Sequence, residues 1–489
     1  MIKPEKQAAY AKDGGIVSDP AREVFLTLPL GRLIFRNTLP AVASMLFLTF
    51  YHVMDAILVG RSLGPDALAS VNILYPIMAL FIGIAVMLGV GGNARLAVFL
   101  GAGNAREARR TLSLIIALGA LLGIFGTILV LFGYPVILRL LMGTSVELAD
   151  MAGEYILTLC PFFIPMILLF ILEQSVRNDG HPNMATALMA SGAILNIILD
   201  YIFLFPLNMG IGGAALATGI SQSLGALVFM GYFISKTLCR KPGLRFGIPG
   251  GGWPAIRAIS FNGSSELFNN VAAGVTTFLF NRALLSYVGA TGVAAFALVQ
   301  YMLLLGIMII IGISNGSQPV LSYNHGAGKK SRVRGTLIRV MAASIGVGAL
   351  FFILLRWQAV PMATLFIPAH HEALEMTLRA TGIISWSMFF LPVGIIMSMF
   401  FTALEEAGRS LMVAASRGLL FTLMGLSVFQ LLWGEFGIWF TLVFAEAATV
   451  LIAALLIYQW SLRDSGDCVV CESGIIKYFK GMWFYRNNT

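Results

Sequence analysis

Residues Leu195–Phe205 read LNIILDYIFLF. Nine of the eleven are apolar or aromatic, yet Asn196 and Asp200 stand inside the run, four apart. At helical spacing the two share one face, a turn from each other. The run is too apolar for a solvated surface helix and too polar for an inert core. It reads as part of a membrane span whose acid faces protein or water, because a carboxylate in hydrocarbon costs about 2.5–3.5 kcal/mol even on the lenient insertion scale.

The chain around it agrees. Of 489 residues, 58% are hydrophobic and 11% charged, where a soluble domain carries roughly a quarter charged. Twelve apolar stretches are long enough to span, given that about 20 residues cross the hydrocarbon. They fall near 33–58, 68–94, 111–138, 151–176, 183–205, 213–235, 258–285, 292–319, 336–357, 376–403, 411–433 and 438–462. The expected fold class is an all-α polytopic membrane protein. No cleavable signal peptide is expected, since residues 1–30 are polar and mixed in charge. The longest connection, KTLCRKPGLRFGIPGGGWPAIR at 236–257, is basic and rich in Gly and Pro. It divides the chain into an N-terminal tail (1–30), an N-lobe (31–235), an inter-lobe loop (236–257), a C-lobe (258–462) and a C-terminal tail (463–489).

Charge sets the orientation. With the N-terminus inside, 27 of the 32 Lys and Arg fall on inner segments, leaving Arg61, Arg139, Arg282, Arg356 and Arg379 at outer ends. This bias places both termini in the cytoplasm of a cell whose plasma membrane holds the protein. The net charge of +9 therefore concerns topology, and no nucleic-acid partner is expected. The halves also repeat. Shifted by 225, residues 63–112 align with 288–337 without a gap, and Gly101-Ala102-Gly103 falls on Gly326-Ala327-Gly328 in the basic turn after the second span of each half. Six spans per half is even, so the two six-helix lobes are parallel repeats related by an axis along the membrane normal, an architecture that places the substrate path between them.

A second pair matches Asn196/Asp200. Tyr51 and Asp55, in FYHVMDAILVG, sit four apart late in the first span, and both acids lie toward the outer side. Two neighbouring carboxylates with amide and hydroxyl oxygens can bind Na⁺ or hold a proton. The bland alternative is two independent acids that pin helices. In the seventh span, FNGSSELFNN places Asn262, Glu266 and Asn270 on one stripe, candidates for a substrate cavity, with Gln300 and Gln318 weaker ones in the eighth. Glu173/Arg177 reads as a local ion pair, Glu405 and Glu406 as partners of nearby arginines, and His181 as a solvated turn residue. His52 points about 100° from Tyr51 and reads as structural. The four cysteines form no disulfide framework, and Cys468-x-x-Cys471 has no second pair to make a metal site.

These stretches carry a resemblance. YHVMDAILVGRSLG (51–64) resembles the first span of MATE (multidrug and toxic compound extrusion) transporters of the MOP flippase superfamily. LNIILDYIFLF resembles that family's fifth span, and GIGGAALATGISQ (210–222) its sixth, with Thr218 eighteen residues after Asp200. The resemblance covers roughly residues 30–460. It implies that Asp55, Asn196, Asp200 and Thr218, with Tyr51 as neighbour, form a coupling-cation site for Na⁺ or H⁺, with no other metal and no cofactor. Tyr201 departs from it, since relatives often carry Pro after the acid. The implied function is a secondary antiporter, not an enzyme, that exports amphipathic, often cationic compounds by alternating access and works as a monomer in the bilayer. No G-x-x-x-x-G-K-[ST] loop points to ATP. A lipid-linked oligosaccharide flippase of the same superfamily is the alternative, and would favour arginines inside the cavity. An intramembrane enzyme lacks its His or nucleophile motif. A major-facilitator transporter is disfavoured by RLAVFLGAGNAREARR after the second span, which is not that class's loop.

Overall fold

The computed structural model describes residues 20–142, 146–364 and 373–465. The ends of both tails, with Cys468 and Cys471, lie outside the described residues. Among the described residues every regular element is a helix. That follows from the solvent, because a helix satisfies its own backbone polar groups without water.

In chain order the elements are α1 (Pro20–Thr27), α2 (Leu30–Leu63), α3 (Pro65–Gly101), α4 (Ala105–Met142), α5 (Val146–Leu159), α6 (Phe163–Asn178), α7 (Pro182–Leu204) and α8 (Gly210–Leu238) in the first half. The second half has α9 (Gly252–Tyr287), α10 (Ala290–Gly326), α11 (Lys330–Trp357), α12 (Ala359–Thr364), α13 (Ala373–Ile384), α14 (Ser387–Ala403), α15 (Ala407–Ala415), α16 (Phe421–Trp433) and α17 (Glu435–Ser465). Ten continuous stretches are long and apolar enough to span, and α13 with α14, bent by 57°, makes an eleventh. The twelfth is α9. At 36 residues it is long enough, but the polar stripe around Glu266 lowers its apolarity. Three spans are interrupted. α5 and α6 join through a 3₁₀ turn at Cys160–Phe162 that contains Pro161, α13 and α14 bend at Ser385–Trp386, and α15 and α16 join through a π-helical turn at Ser416–Leu420. α7 runs unbroken past Tyr201, which is exposed and stacks on Phe205.

The repeat is visible in the contacts. A Cβ placed on Gly101 would lie 2.1 Å from the Tyr323 carbonyl oxygen, and one on Gly326 would lie 2.0 Å from the Val98 carbonyl oxygen. Adding the offset of 225 to Val98 and Gly101 gives Tyr323 and Gly326, so the two contacts are one contact seen from both lobes. Nearly three turns along the helices, Gly91 meets the backbone of Ile259 and Gly263, and Gly316, its counterpart at the same offset, meets that of Asn37 and Thr38. Only glycine permits backbones this close.

The hydrogen bonds that cross between the lobes fall in the same, basic half. The Tyr323 hydroxyl donates to the Asn178 carbonyl at 2.7 Å, Gln318 Nε2 to Val90 O at 3.0 Å, and Arg95 pairs with Glu405 at 3.4 Å. Contact between α3 and α9 continues to Gly83, against Leu267 and Asn270. One turn beyond, on the same face, Leu80 is 47% exposed. The lobes form a V, closed at the end that carries the basic turns and parted at the other.

Residues 20–27, read above as tail, are an ordered helix with Phe25 and Leu26 buried. Eight residues are too few to give a span-like signal, so this element was not legible in the sequence. The inter-lobe connection is held on the N-lobe. Asp179 accepts from the Leu244 amide at 2.9 Å and also binds Tyr232 and Lys236, while Gly247 N donates to Ser113 Oγ at 3.0 Å.

The glycine contact makes a direct prediction. Gly326→Ala puts a methyl into a backbone carbonyl that cannot rotate away, so the sealed arrangement should lose about 1–3 kcal/mol. Gly346→Ala, where a Cβ meets nothing within 4 Å, should be neutral or stabilising by up to about 1 kcal/mol. Spin labels at Arg106 and Ser331 report the result. Gly326→Ala should populate longer distances and Gly346→Ala should not.

Candidate functional site

The sequence-read acids meet in the parted half of the N-lobe. Asp55 rises from α2 eight residues before its end, and Asp200 from α7 four before its end, about 12 and 6 Å by helical rise. Asp200 therefore lies closer to the helix end than to its middle. Its side chain is nonetheless 0% exposed, because α2, α5 and α8 close around it. The Asp55 and Asp200 carboxyls interact directly. Both Asp200 oxygens and Asp55 Oδ1 are buried with no hydrogen-bond donor. The Asn196 amide, one turn below, donates to Thr218 Oγ1 at 3.4 Å, and its own Oδ1 is unpartnered. Tyr51 is buried and accepts from Gln222 Nε2 at 3.4 Å, leaving Gln222 Oε1 unpartnered as well.

All five residues expected at a cation site, Tyr51, Asp55, Asn196, Asp200 and Thr218, thus converge. Their buried, unpaired atoms are oxygens, the donor set of a hard cation or a shared proton. Two further residues belong to the cluster. Gln222 lies one turn after Thr218 on the same face of α8, a spacing that could have revealed it. Tyr155, on α5, is buried within electrostatic reach of both acids, and an isolated Tyr in an apolar run carries no such signal. A small cleft opens beneath, between α2, α6, α7 and α8, with ≈ 30 Å³ of room. Tyr51, Asn196, Ser221 and Gln222 supply its polar wall, and Leu48, Leu169, Phe170, Leu188 and Met189 most of the rest. His52 is exposed, its ring tilted against that of Tyr51 with centroids 4.2 Å apart.

The expected cavity residues separate into two groups. Asn262 and Gln318 are buried and face the other lobe rather than an open cavity. Asn262 Nδ2 donates to Thr402 O at 3.1 Å and Gly91 O at 3.4 Å, and Gln318 bonds Val90. Helical periodicity places Asn262 on a polar stripe with Glu266 and Asn270 but does not say what covers it. Glu266 and Asn270 are half-buried beside the last contact between α3 and α9, at the floor of the V, with Asn270 bonded to the Glu266 carbonyl. Gln300 is exposed. Arg417, in the π-helical turn, lies within electrostatic reach of Glu266 and is held by Glu446 at 2.6 Å.

Glu173 and Arg177 are the contrasting case. Two guanidinium nitrogens bond Glu173 Oε1 at 2.6 and 2.9 Å, and Nη2 also reaches Ser44 Oγ at 2.8 Å, all inside the protein. The pair is local, as its spacing suggested, but buried. Glu405 and Glu406 do bind arginines, Arg95 and Arg409, and His181 is exposed in its turn.

The difference between a bonded and an unbonded charge gives a test. Arg177→Leu strands the Glu173 carboxylate and should cost about 3–5 kcal/mol. Asp200→Asn removes one of two facing, donor-less carboxyls and should leave stability equal or higher. Thermal unfolding of the purified variants measures both. A large loss in Asp200→Asn would make that acid a structural pin.

The family model described as MatE matches residues 40–202 and 268–426, one segment in each lobe. The multidrug export protein MepA of Staphylococcus saprophyticus is 27% identical over 440 residues, 87% of this chain and 93% of its own. MepA of Staphylococcus aureus is 25% identical over 448 residues, 89% and 95%. Among solved structures, MATE in complex with MaL6 superposes with a TM-score of 0.83 at 23% identity, covering 88% of this chain and 96% of that one. The outward-facing conformation of a multidrug resistance MATE transporter of the MOP superfamily gives 0.83 at 23%, covering 91% and 98%. The lobes, the repeat and the two matched segments agree: the chain is a member of the MATE family of membrane transporters.

Proposed function

We propose that the protein is a secondary multidrug antiporter. It exports amphipathic, often cationic compounds and is driven by Na⁺ or H⁺ bound at Asp55, Asn196, Asp200 and Thr218, with Tyr51 and Gln222 alongside. The observation that carries this reading is the facing pair of carboxyls, Asp200 fully buried and Asp55 partly, with three buried oxygens that have no donor. An arrangement so costly when empty gains most from a cation or a proton. The relatives named as multidrug export proteins support the substrate class.

The V-shape supports alternating access. The basic end is cytoplasmic by its lysines and arginines, so the parted end faces outward, in a plasma membrane. Each ligand must bind the two states with different affinity to drive the cycle. Substrate enters between the lobes, where Glu266 supplies a carboxylate at the floor of the cleft for a cationic group. A flippase that holds pyrophosphate would need cationic cleft walls, and Arg417 is already neutralised by Glu446.

Purified protein in proteoliposomes, with Na⁺ and proton gradients imposed separately, identifies the ion by dye efflux. Asp200→Asn should insert and still bind dye but lose gradient-driven export. Asp55→Asn should behave alike, and the double variant little worse than either, because both act in one site. Full export by Asp200→Asn would refute the coupling role. At the cleft floor, Glu266→Gln should weaken export of cationic dyes more than of neutral ones. An equal loss for both would remove charge recognition from Glu266.

A further inference from the structure

The helix α1 spans the closed end. Its N-terminal part belongs to the N-lobe: Arg22 Nε donates to Gly101 O at 3.2 Å, and Ala21 lies against Gly180. Phe25 is 1% exposed, packed among N-lobe residues such as Leu33, Leu100 and Phe229. The same ring stacks on Tyr323 of the C-lobe, centroids 4.3 Å apart.

The last carbonyls of α1 are where the physics is most specific. A helix ends with backbone carbonyls that have no partner within it, and cationic side chains satisfy them best. Here Val24 O takes the Leu28 amide, but the donors to Phe25 O, Leu26 O and Leu28 O come from the other lobe. Arg332 Nη2 donates to Phe25 O at 3.2 Å and Leu28 O at 2.8 Å. Asn324 Nδ2 donates to Phe25 O at 3.2 Å, and Lys329 Nζ to Leu26 O at 3.0 Å. Asn324 Oδ1 in turn accepts from Arg332 Nε at 2.8 Å, which fixes the guanidinium. The turn between α10 and α11 is thus the C-cap of an N-lobe helix.

We propose that α1 is a strap that latches the lobes at the basic end, with Lys329 and Arg332 as its catch. The cap exists only while the turn after α10 lies beside α1. When the lobes part there, α1 stays on the N-lobe through Arg22, Phe25 and its continuity with α2, and the catch is lost. The strap adds to the glycine contact a set of charge-assisted bonds whose strength is set by side chains rather than by backbone fit. It biases the resting protein toward the state parted at the opposite end, whichever ion drives transport.

The test uses two single-cysteine reporters in the full chain with Cys160, Cys239, Cys468 and Cys471 replaced by Ser. Val42→Cys reports the seal, because Val42 lies against Gly312. Leu80→Cys reports the parted half. With Lys329→Ala and Arg332→Ala together, labelling by a membrane-impermeant maleimide in detergent should rise about tenfold at Val42→Cys, equivalent to about 1.4 kcal/mol, and fall about twofold at Leu80→Cys. Phe25→Leu, which keeps apolar volume but loses the stack, should move both reporters the same way by less. Arg332→Lys should restore most of the seal. Unchanged labelling at Val42→Cys overturns the strap. So does a rise at both reporters, which would mean general loosening rather than a shift between two states.

Discussion

The contact of backbone on backbone at Gly101 and Gly326 fixes what the two lobes can do. Each glycine lies where a methyl would overlap the other lobe's carbonyl oxygen, so the seal has the tolerance of close packing rather than of side chains that can repack. A contact of that kind is either made or broken. It favours two discrete arrangements over a continuum, and the property follows from a glycine at matching positions of an internal repeat. The cross-lobe bonds of Tyr323, Gln318, Asn262 and Arg95 cluster around it for the same reason, since polar groups can satisfy one another only where the lobes already touch.

The helix α2 links this seal to the acid cluster. Asn37, Thr38 and Val42 pack on Gly316 and Gly312 of α10, and Tyr51 and Asp55 stand on the same rod further along. A helix transmits displacement along its length with little loss, so neutralising Asp55 acts on an element that the seal also holds. Pro40 lies within the seal region itself, between Thr38 and Val42. It removes one backbone bond, and its carbonyl accepts from Thr186 Oγ1 at 2.6 Å. The rod therefore has a local weak point, tethered to α7, which itself carries Asp200. The tether and the acid pair connect the same two helices at different depths.

What the sequence revealed and what it hid follow one rule. Asp55, Asn196 and Asp200 were legible because a polar atom in an apolar run must have a reason, and helical spacing says which of them share a face. The repeat was legible because its glycines and basic residues recur at one offset. The fate of a polar face was not. Asn262 lies on a stripe that reads as cavity-facing, yet its amide bonds Thr402 O within its own lobe and Gly91 O across the seal, because periodicity carries no information about the neighbour. Tyr155 was hidden by its own chemistry, since a Tyr in a span has apolar reasons enough to be there. α1 was hidden because its partners are side chains about 300 residues away acting on backbone carbonyls, and backbone acceptors have no letter in the sequence.

The lobes repeat in fold but not in charge, and the proposed division, an ion in one lobe and a guest beside the other, rests on that asymmetry. In the N-lobe the acids face each other, and Arg177, the one buried guanidinium among the described residues, is committed to Glu173 and Ser44. In the C-lobe Glu446 is matched by Arg417, and Glu266 stands within that guanidinium's reach. A site whose charge is already balanced gains little from binding a small ion, since the ion must displace a partner of equal valence. An unbalanced pair has no such competitor. Arg417 sits in a π-helical turn, where the ladder of backbone bonds is already disrupted, so the residue that balances the C-lobe is placed on a deformable segment beside the cleft. A bulky cation arriving near Glu266 would meet a partner able to give way, while the N-lobe pair stays fixed on two unbroken helices.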